Sequence, residues 1–225
     1  MKDSAVGTVL VTGGTVRMGK AIADGLRARG WRVLTSSHRP DSGADIVMDL
    51  SETSGAAKLY LKALELAPDI SAIVNNAALF TGDGRKMRAV NLEAPMKLTM
   101  LIAGKEDRPC AVVNVLDTDV LDGGLQEKGR PVMADYLATK RELLEYTRKS
   151  ARLFADTLRV NAVAPGPVIA PVDVHEKAGE TLLPVRPAAD DVADAVAYLL
   201  GARSVTGAVI PVDSGRHLLF GGEAP

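Results

Sequence analysis

The chain has 225 residues, 47% of them hydrophobic, enough for one well-buried domain spanning 1–225. Its 27 Lys and Arg are dispersed and balanced by 28 Asp and Glu, a net charge of −1 that argues against a nucleic-acid or acidic-membrane footprint. The single cysteine, Cys110, excludes an internal disulfide framework and fits a cytoplasmic setting, and no apolar run approaches the roughly 20 residues of a membrane span or the pattern of a signal sequence.

Short β-branched runs alternate with longer helical patterns. Residues 6–11 read as a first strand, and 19–29 as a helix with Ile22, Ala23 and Leu26 on one side and Gly30 as its stop. "WRVLTSS" and "ADIVMDL" read as strands, followed by a helix over 51–67 with Ser51 as N-cap and Pro68 just past its end. "ISAIVNN" is the next strand, then a helix over 88–103 whose Met87, Met96 and Met100 recur at packing intervals. "CAVVNVL" is a strand, 133–154 a long helix, "LRVNAVAP" a strand, "ADDVADAVAYLL" a helix opened by acidic residues, and "AVIPVD" a last strand. Repeated strand–helix–strand units imply an α/β fold with a parallel sheet covered on both faces, and such sheets bind ligands beyond the carboxyl ends of their strands. The two longest irregular stretches, 118–132 and 166–187, are candidate substrate loops.

The turn after the first strand, "TGGTVRMG", has the makings of a phosphate site. Free N–H groups at a helix start face an anion, and Gly13, Gly14 and Gly19 allow a tight backbone. Arg17 interrupts the glycine series. At the end of the second strand an NAD site places an acid for the ribose 2′-OH, but this chain has "SSHRP". Arg39 there suits a 2′-phosphate, which favours NADP over NAD. In "YLATK", Tyr136 and Lys140 lie four apart on one helix face. The ammonium is expected to pull the phenol down from its usual value near 10. The histidines His38, His175 and His217 show no metal-ligand spacing. Trp31 reads as core.

Taken in order, "TGGTVRMG", "NNAALF", Asn91, "YLATK", "VNAVAPG" and "VTGAVIPVDSG" resemble the short-chain dehydrogenase/reductase family over nearly the whole chain. The resemblance implies a single Rossmann-type domain, doubly wound around a seven-stranded parallel sheet, usually a homotetramer or homodimer. It implies Tyr136 as proton donor, Lys140 as holder of the nicotinamide ribose, and Asn91 as anchor of a water in the proton relay. Gly13, Thr15, Arg17, Met18, Gly19, His38, Arg39, Asp49, Asn76, Ala77, Lys140, Pro165 and Gly166 would bind NADPH, with Asp49 at the adenine and Pro165 and Gly166 beside the nicotinamide.

Two departures point to the pteridine reductase branch of that family. Asp117, three residues after Asn114, replaces the usual serine, and Arg17 replaces the middle glycine of the loop. An "HR" pair after strand two and an aromatic after "NNA", here Phe80, add to the likeness. The implied activity is NADPH-dependent reduction of a dihydropterin. Arg17, Phe80, Asp117 and Tyr136 would hold the substrate, and Tyr136 with Asp117 would deliver the proton. Asp119 and Asp122 are rival site carboxylates, since "LDGGLQEKGRP" reads as an insertion; the spacing from Asn114 favours Asp117. The alternatives are a reductase of ketones or 3-oxoacyl thioesters, which a serine at 117 would favour, and a non-catalytic NADP-binding regulator.

Overall fold

Seven parallel strands form one sheet in the order β3-β2-β1-β4-β5-β6-β7. The structure is a computed structural model that describes residues 6–105, 109–121, 131–168 and 181–219. The strands are β1 Thr8–Thr12, β2 Arg32–Ser37, β3 Ile46–Val47, β4 Ile70–Asn75, β5 Cys110–Val115, β6 Leu158–Pro165 and β7 Val209–Val212. All residues of β1 and β5 are buried, as expected of strands packed on both faces.

Two groups of helices cover the sheet. α1 (Arg17–Ala28) and α6 (Ala189–Gly201) pack on one face through Ile22, Leu26, Val192 and Val196. α2 (Gly55–Leu66), α4 (Ala94–Ala103) and α5 (Pro131–Leu153) cover the other through Leu59, Leu98, Ile102, Leu143 and Leu144. α3 (Gly84–Arg88) runs into α4 through one widened π-type turn, Ala89–Glu93. Among the described residues no helix is long and apolar enough to cross a membrane.

Several sequence expectations shift. The helix expected from Ser51 starts at Gly55, because the Asp49 carboxylate takes the Ser51 N–H at 2.8 Å and closes a turn there. Ser51 is therefore not the N-cap. The strand expected over 44–50 shrinks to two residues pairing with β2 at the sheet edge. Met87 and Met96 pack as expected, but Met100 is exposed. Trp31 packs against the α1/α6 core while keeping an exposed edge.

From β1 the chain winds outward through β2 and β3, then returns to β4 and winds the other way. The crevice for a ligand therefore opens beyond the carboxyl ends of β1 and β4.

Candidate active site

A cleft of about 660 Å³ opens at that switch point. Its lining includes Gly13, Thr15, Arg17, Met18 and Gly19 after β1, His38 and Arg39 after β2, Asp49 after β3, and Asn76 and Ala77 after β4. Nearly all the residues expected at the dinucleotide thus surround one space. Lys86 of α3 joins them, with no reason in the sequence to expect it, since its helix starts seven residues past the end of the "NNA" motif in a stretch without a phosphate signature. Among the described residues Asp49 is the only acid in the lining. The N–H and hydroxyl of Ser51 hold its carboxyl below the usual range, helped by the positive charges of His38 and Lys86.

The glycines of the turn serve the turn itself. A Cβ on Gly19 would meet the Gly13 carbonyl oxygen at 2.0 Å and Asn76 Nδ2 at 2.5 Å. Asn76 staples this loop by donating from Nδ2 to the carbonyls of Thr12 (2.9 Å) and Gly13 (3.2 Å). Its amide is thus committed to the loop, and its expected place beside the adenine ribose comes only from lining the cleft. Arg17 keeps the left-handed backbone natural to glycine, with φ of 51°, at a cost of about 1 kcal/mol. That conformation leaves its side chain exposed at the cleft.

A second cluster forms where β5 ends. The side chains of Asp117 and Tyr136 face each other, each keeping an edge at the surface, while Lys140 is enclosed. Lys140 Nζ donates to the Val115 carbonyl at 2.8 Å and lies 5.7 Å from the centre of the Tyr136 ring. Phe80 sets its exposed ring edge-on to Tyr136, with centroids 5.6 Å apart. Leu79, in the lining of the cleft, is the residue before Phe80, so the cleft and this cluster are neighbours.

Asn91 sits in the π-type turn, buried. Its Oδ1 accepts from Leu79 N–H at 2.7 Å and its Nδ2 donates to the Leu79 carbonyl at 2.9 Å. It therefore fixes the segment joining cleft and cluster, and its expected water-anchoring role would have to share that amide. A buried chain missed in the sequence holds α5 in place: Asn75 Nδ2 donates to Asn114 Oδ1 (2.8 Å), and Asn114 Nδ2 to Thr147 Oγ1 (2.9 Å). Pro165 ends β6, and Gly166 lies so close to Asp213 that a Cβ would meet the Asp213 Cβ at 2.7 Å.

The carboxylate question separates. Asp117 Oδ1 accepts the Asp119 N–H at 2.9 Å while the same side chain meets Tyr136, so it caps its turn and faces the phenol at once. Asp119 is engaged with Arg216 instead. Asp122 lies outside the described residues.

The charge state of the cluster differs from expectation. Burial, then the negative charge of Asp117, pushes the Tyr136 phenol up, not down. The lysine donates to a backbone carbonyl, and the group beside the hydroxyl is a carboxylate. Burial also raises Asp117, against the pull of the Asp119 N–H. Lys140 is lowered by burial from 10.5 to about 8, with the Asp117 charge opposing.

Residues 7–181 match the family described as short chain dehydrogenase. The chain is similar to the dihydromonapterin reductases of Shigella flexneri and of Escherichia coli strain K12, 26% identical over 239 residues in both, covering 93% of this chain and 96% of each relative. It is also similar to the structure of FolM alternative dihydrofolate reductase 1 from Brucella canis complexed with NADP. That match has a TM-score of 0.83 and 30% identity, covering 98% of this chain and 97% of the other.

Because the folded value of Lys140 lies below its unfolded value, the buried ammonium weakens the fold below pH 8, and the cost fades as pH rises toward 10.5. Lys140→Met should therefore raise the unfolding free energy by about 1–2 kcal/mol at pH 7, after allowing for the donor lost at Val115. The gain should shrink as pH climbs above 8. Urea unfolding at fixed pH values checks this; a variant less stable than wild type at pH 7 would contradict it.

Proposed function

Since the chain belongs to the short chain dehydrogenase family, we propose that it is an NADPH-dependent reductase of a pterin, of the dihydromonapterin or dihydropteridine type. The observation that carries this reading is the placing of Asp117 beside Tyr136 at the end of β5, two acids that burial pushes toward their protonated forms. Reducing a ring C=N bond requires hydride on carbon and a proton on nitrogen. A phenol backed by a carboxyl group is suited to giving that proton. Carbonyl reduction needs a proton too, on oxygen, but for that chemistry the resemblance gives a serine at 117.

The cleft fits the proposed cofactor. Ser36, Ser37, His38 and Arg39, which line the cleft at the end of β2, include no carboxylate to meet a ribose 2′-OH. Arg39 and His38 would take the 2′-phosphate, Asp49 the adenine, and the α1 N-terminus with Thr15, Met18 and Gly19 the pyrophosphate. Asn76 would lie on the adenine ribose side, and Lys140, Ala77, Pro165 and Gly166 would border the nicotinamide riboside. Bound NADPH supplies the hydride from nicotinamide C4. Phe80, exposed and already edge-on to Tyr136, offers a face for a flat heterocycle, a contact worth about 0.5–1.5 kcal/mol beyond burial. Arg17 would meet the pterin's pyrimidinone edge and a cofactor phosphate. Family membership further supports a single functional domain over 1–225, working in the cytoplasm as a homotetramer or homodimer.

The direct test follows NADPH oxidation with a panel of dihydropterins and dihydrofolate beside an acetoacetyl thioester. Pterin turnover is expected, reduced at least about a hundredfold in Tyr136→Phe with NADPH affinity retained. Turnover of the thioester alone would favour a carbonyl reductase. Cofactor binding with no turnover at all would favour a regulator. Separately, Arg39→Glu should weaken NADPH by about 10- to 100-fold and leave NADH nearly unchanged, read by fluorescence titration. An unaltered preference between the two would remove Arg39 from the cofactor site.

A further inference from the structure

The turn that carries Asp117 is held from outside the sheet. It runs through the short 3₁₀ segment Thr118–Val120, and the segment Arg216–Leu219 near the end of the chain packs against it. Asp119 Oδ1 accepts from Arg216 Nε at 3.3 Å, and both side chains are largely enclosed, 16% and 9% exposed. On the other side of the turn, Thr118 Oγ1 donates to the buried Asp213 carboxylate. That carboxylate also accepts the His217 N–H (2.8 Å), contacts His217 Nδ1 (2.7 Å) and accepts the Gly215 N–H (3.0 Å). Two contacts about a hundred residues apart in sequence thus converge on the residues immediately after Asp117.

We propose that Asp119 and Arg216 form a positioning pair for the site carboxylate: the pair fixes the turn on which Asp117 sits and sets how readily Asp117 keeps its proton. This rests on the reading of Asp117 as a proton donor. The geometry gives the reason. The Asp119 N–H is the donor that caps Asp117, at 2.9 Å, so moving Asp119 moves the acid. The Asp119 carboxylate, two residues on, repels negative charge on both Asp117 and Tyr136. Arg216 pairs with that carboxylate, tempering its effect on Asp117. Among the described residues, Tyr136 and the Lys140 ammonium from α5 are the other titratable groups that act on Asp117. A carboxyl that must be protonated to act benefits from a second carboxylate nearby.

The signs of two substitutions are opposite. Asp119→Asn keeps an acceptor for Arg216 but removes the negative charge, so Asp117 should give up its proton about one pH unit lower. Arg216→Gln leaves Asp119 less neutralised, so Asp117 should hold its proton to higher pH. The ¹³C carboxyl resonance of Asp117 in aspartate-labelled protein, assigned with Asp117→Asn, reads this midpoint without substrate. The high-pH fall of kcat/KM with a dihydropterin, as the protonated acid is lost, should move in the same directions. An Asp119→Asn midpoint equal to wild type, or both variants moving the same way, would overturn the proposal and leave a purely structural clasp. Absence of pterin turnover in the wild type, with the resonance shifts intact, would instead overturn the substrate assignment and leave the pair standing.

Discussion

Desolvation of charge at the end of β5 is the constraint on which the site depends. An ammonium, a carboxyl and a phenol share a volume with little water, and burial there disfavours the charged form of each. Lys140 falls to about 8 while Asp117 and Tyr136 rise. A fold that accepts this arrangement carries a stability cost for holding Lys140. The surrounding hydrogen bonds limit that cost: Val115 offers its carbonyl to the lysine, and the Asn75–Asn114–Thr147 chain ties α5 to β4 and β5. The outcome is a phenol from α5 and a carboxyl group from the turn after β5, both pushed toward their protonated forms, side by side at an exposed edge.

The cleft beside it solves a different electrostatic problem. His38, Arg39 and Lys86 approach it from β2 and α3, and Arg17 from the start of α1. The one acid, Asp49, is stabilised by the turn at Ser51 and does not neutralise the cleft as a whole. Arg17 shows how the two regions share a loop. Its backbone keeps the positive φ that glycine adopts without strain, and accepting that strain places a guanidinium where glycine would leave nothing. Leu79 and Phe80, clamped by the Asn91 amide, bridge the two regions.

Much of this was legible in the sequence, for identifiable reasons. The strand read over 158–165 is β6 as found, because a buried parallel strand is a continuous apolar run with few rival patterns. The cofactor loop and the Tyr136–Lys140 spacing are local, and local signals survive folding. The errors came where side chains chose partners. Ser51 reads as a helix cap until Asp49 takes its N–H. Helix spacing puts Lys140 on the face of Tyr136 but does not say that its Nζ goes to Val115, which is why the phenol's shift had the wrong sign. Asp117 and Asp119 differ only through Arg216, distant in sequence. Lys86 enters the cleft through the path of α3, which no motif announces.

The central claim is that a carboxyl group at 117, beside the phenol, makes this a site for reducing a C=N bond. Steady-state kinetics of Asp117→Ser, with a dihydropterin and with an acetoacetyl thioester, addresses it most directly. The account predicts that kcat for the dihydropterin falls by about a hundredfold or more while NADPH affinity holds, the loss exceeding any change with the thioester. Undiminished dihydropterin turnover by the serine variant would contradict it.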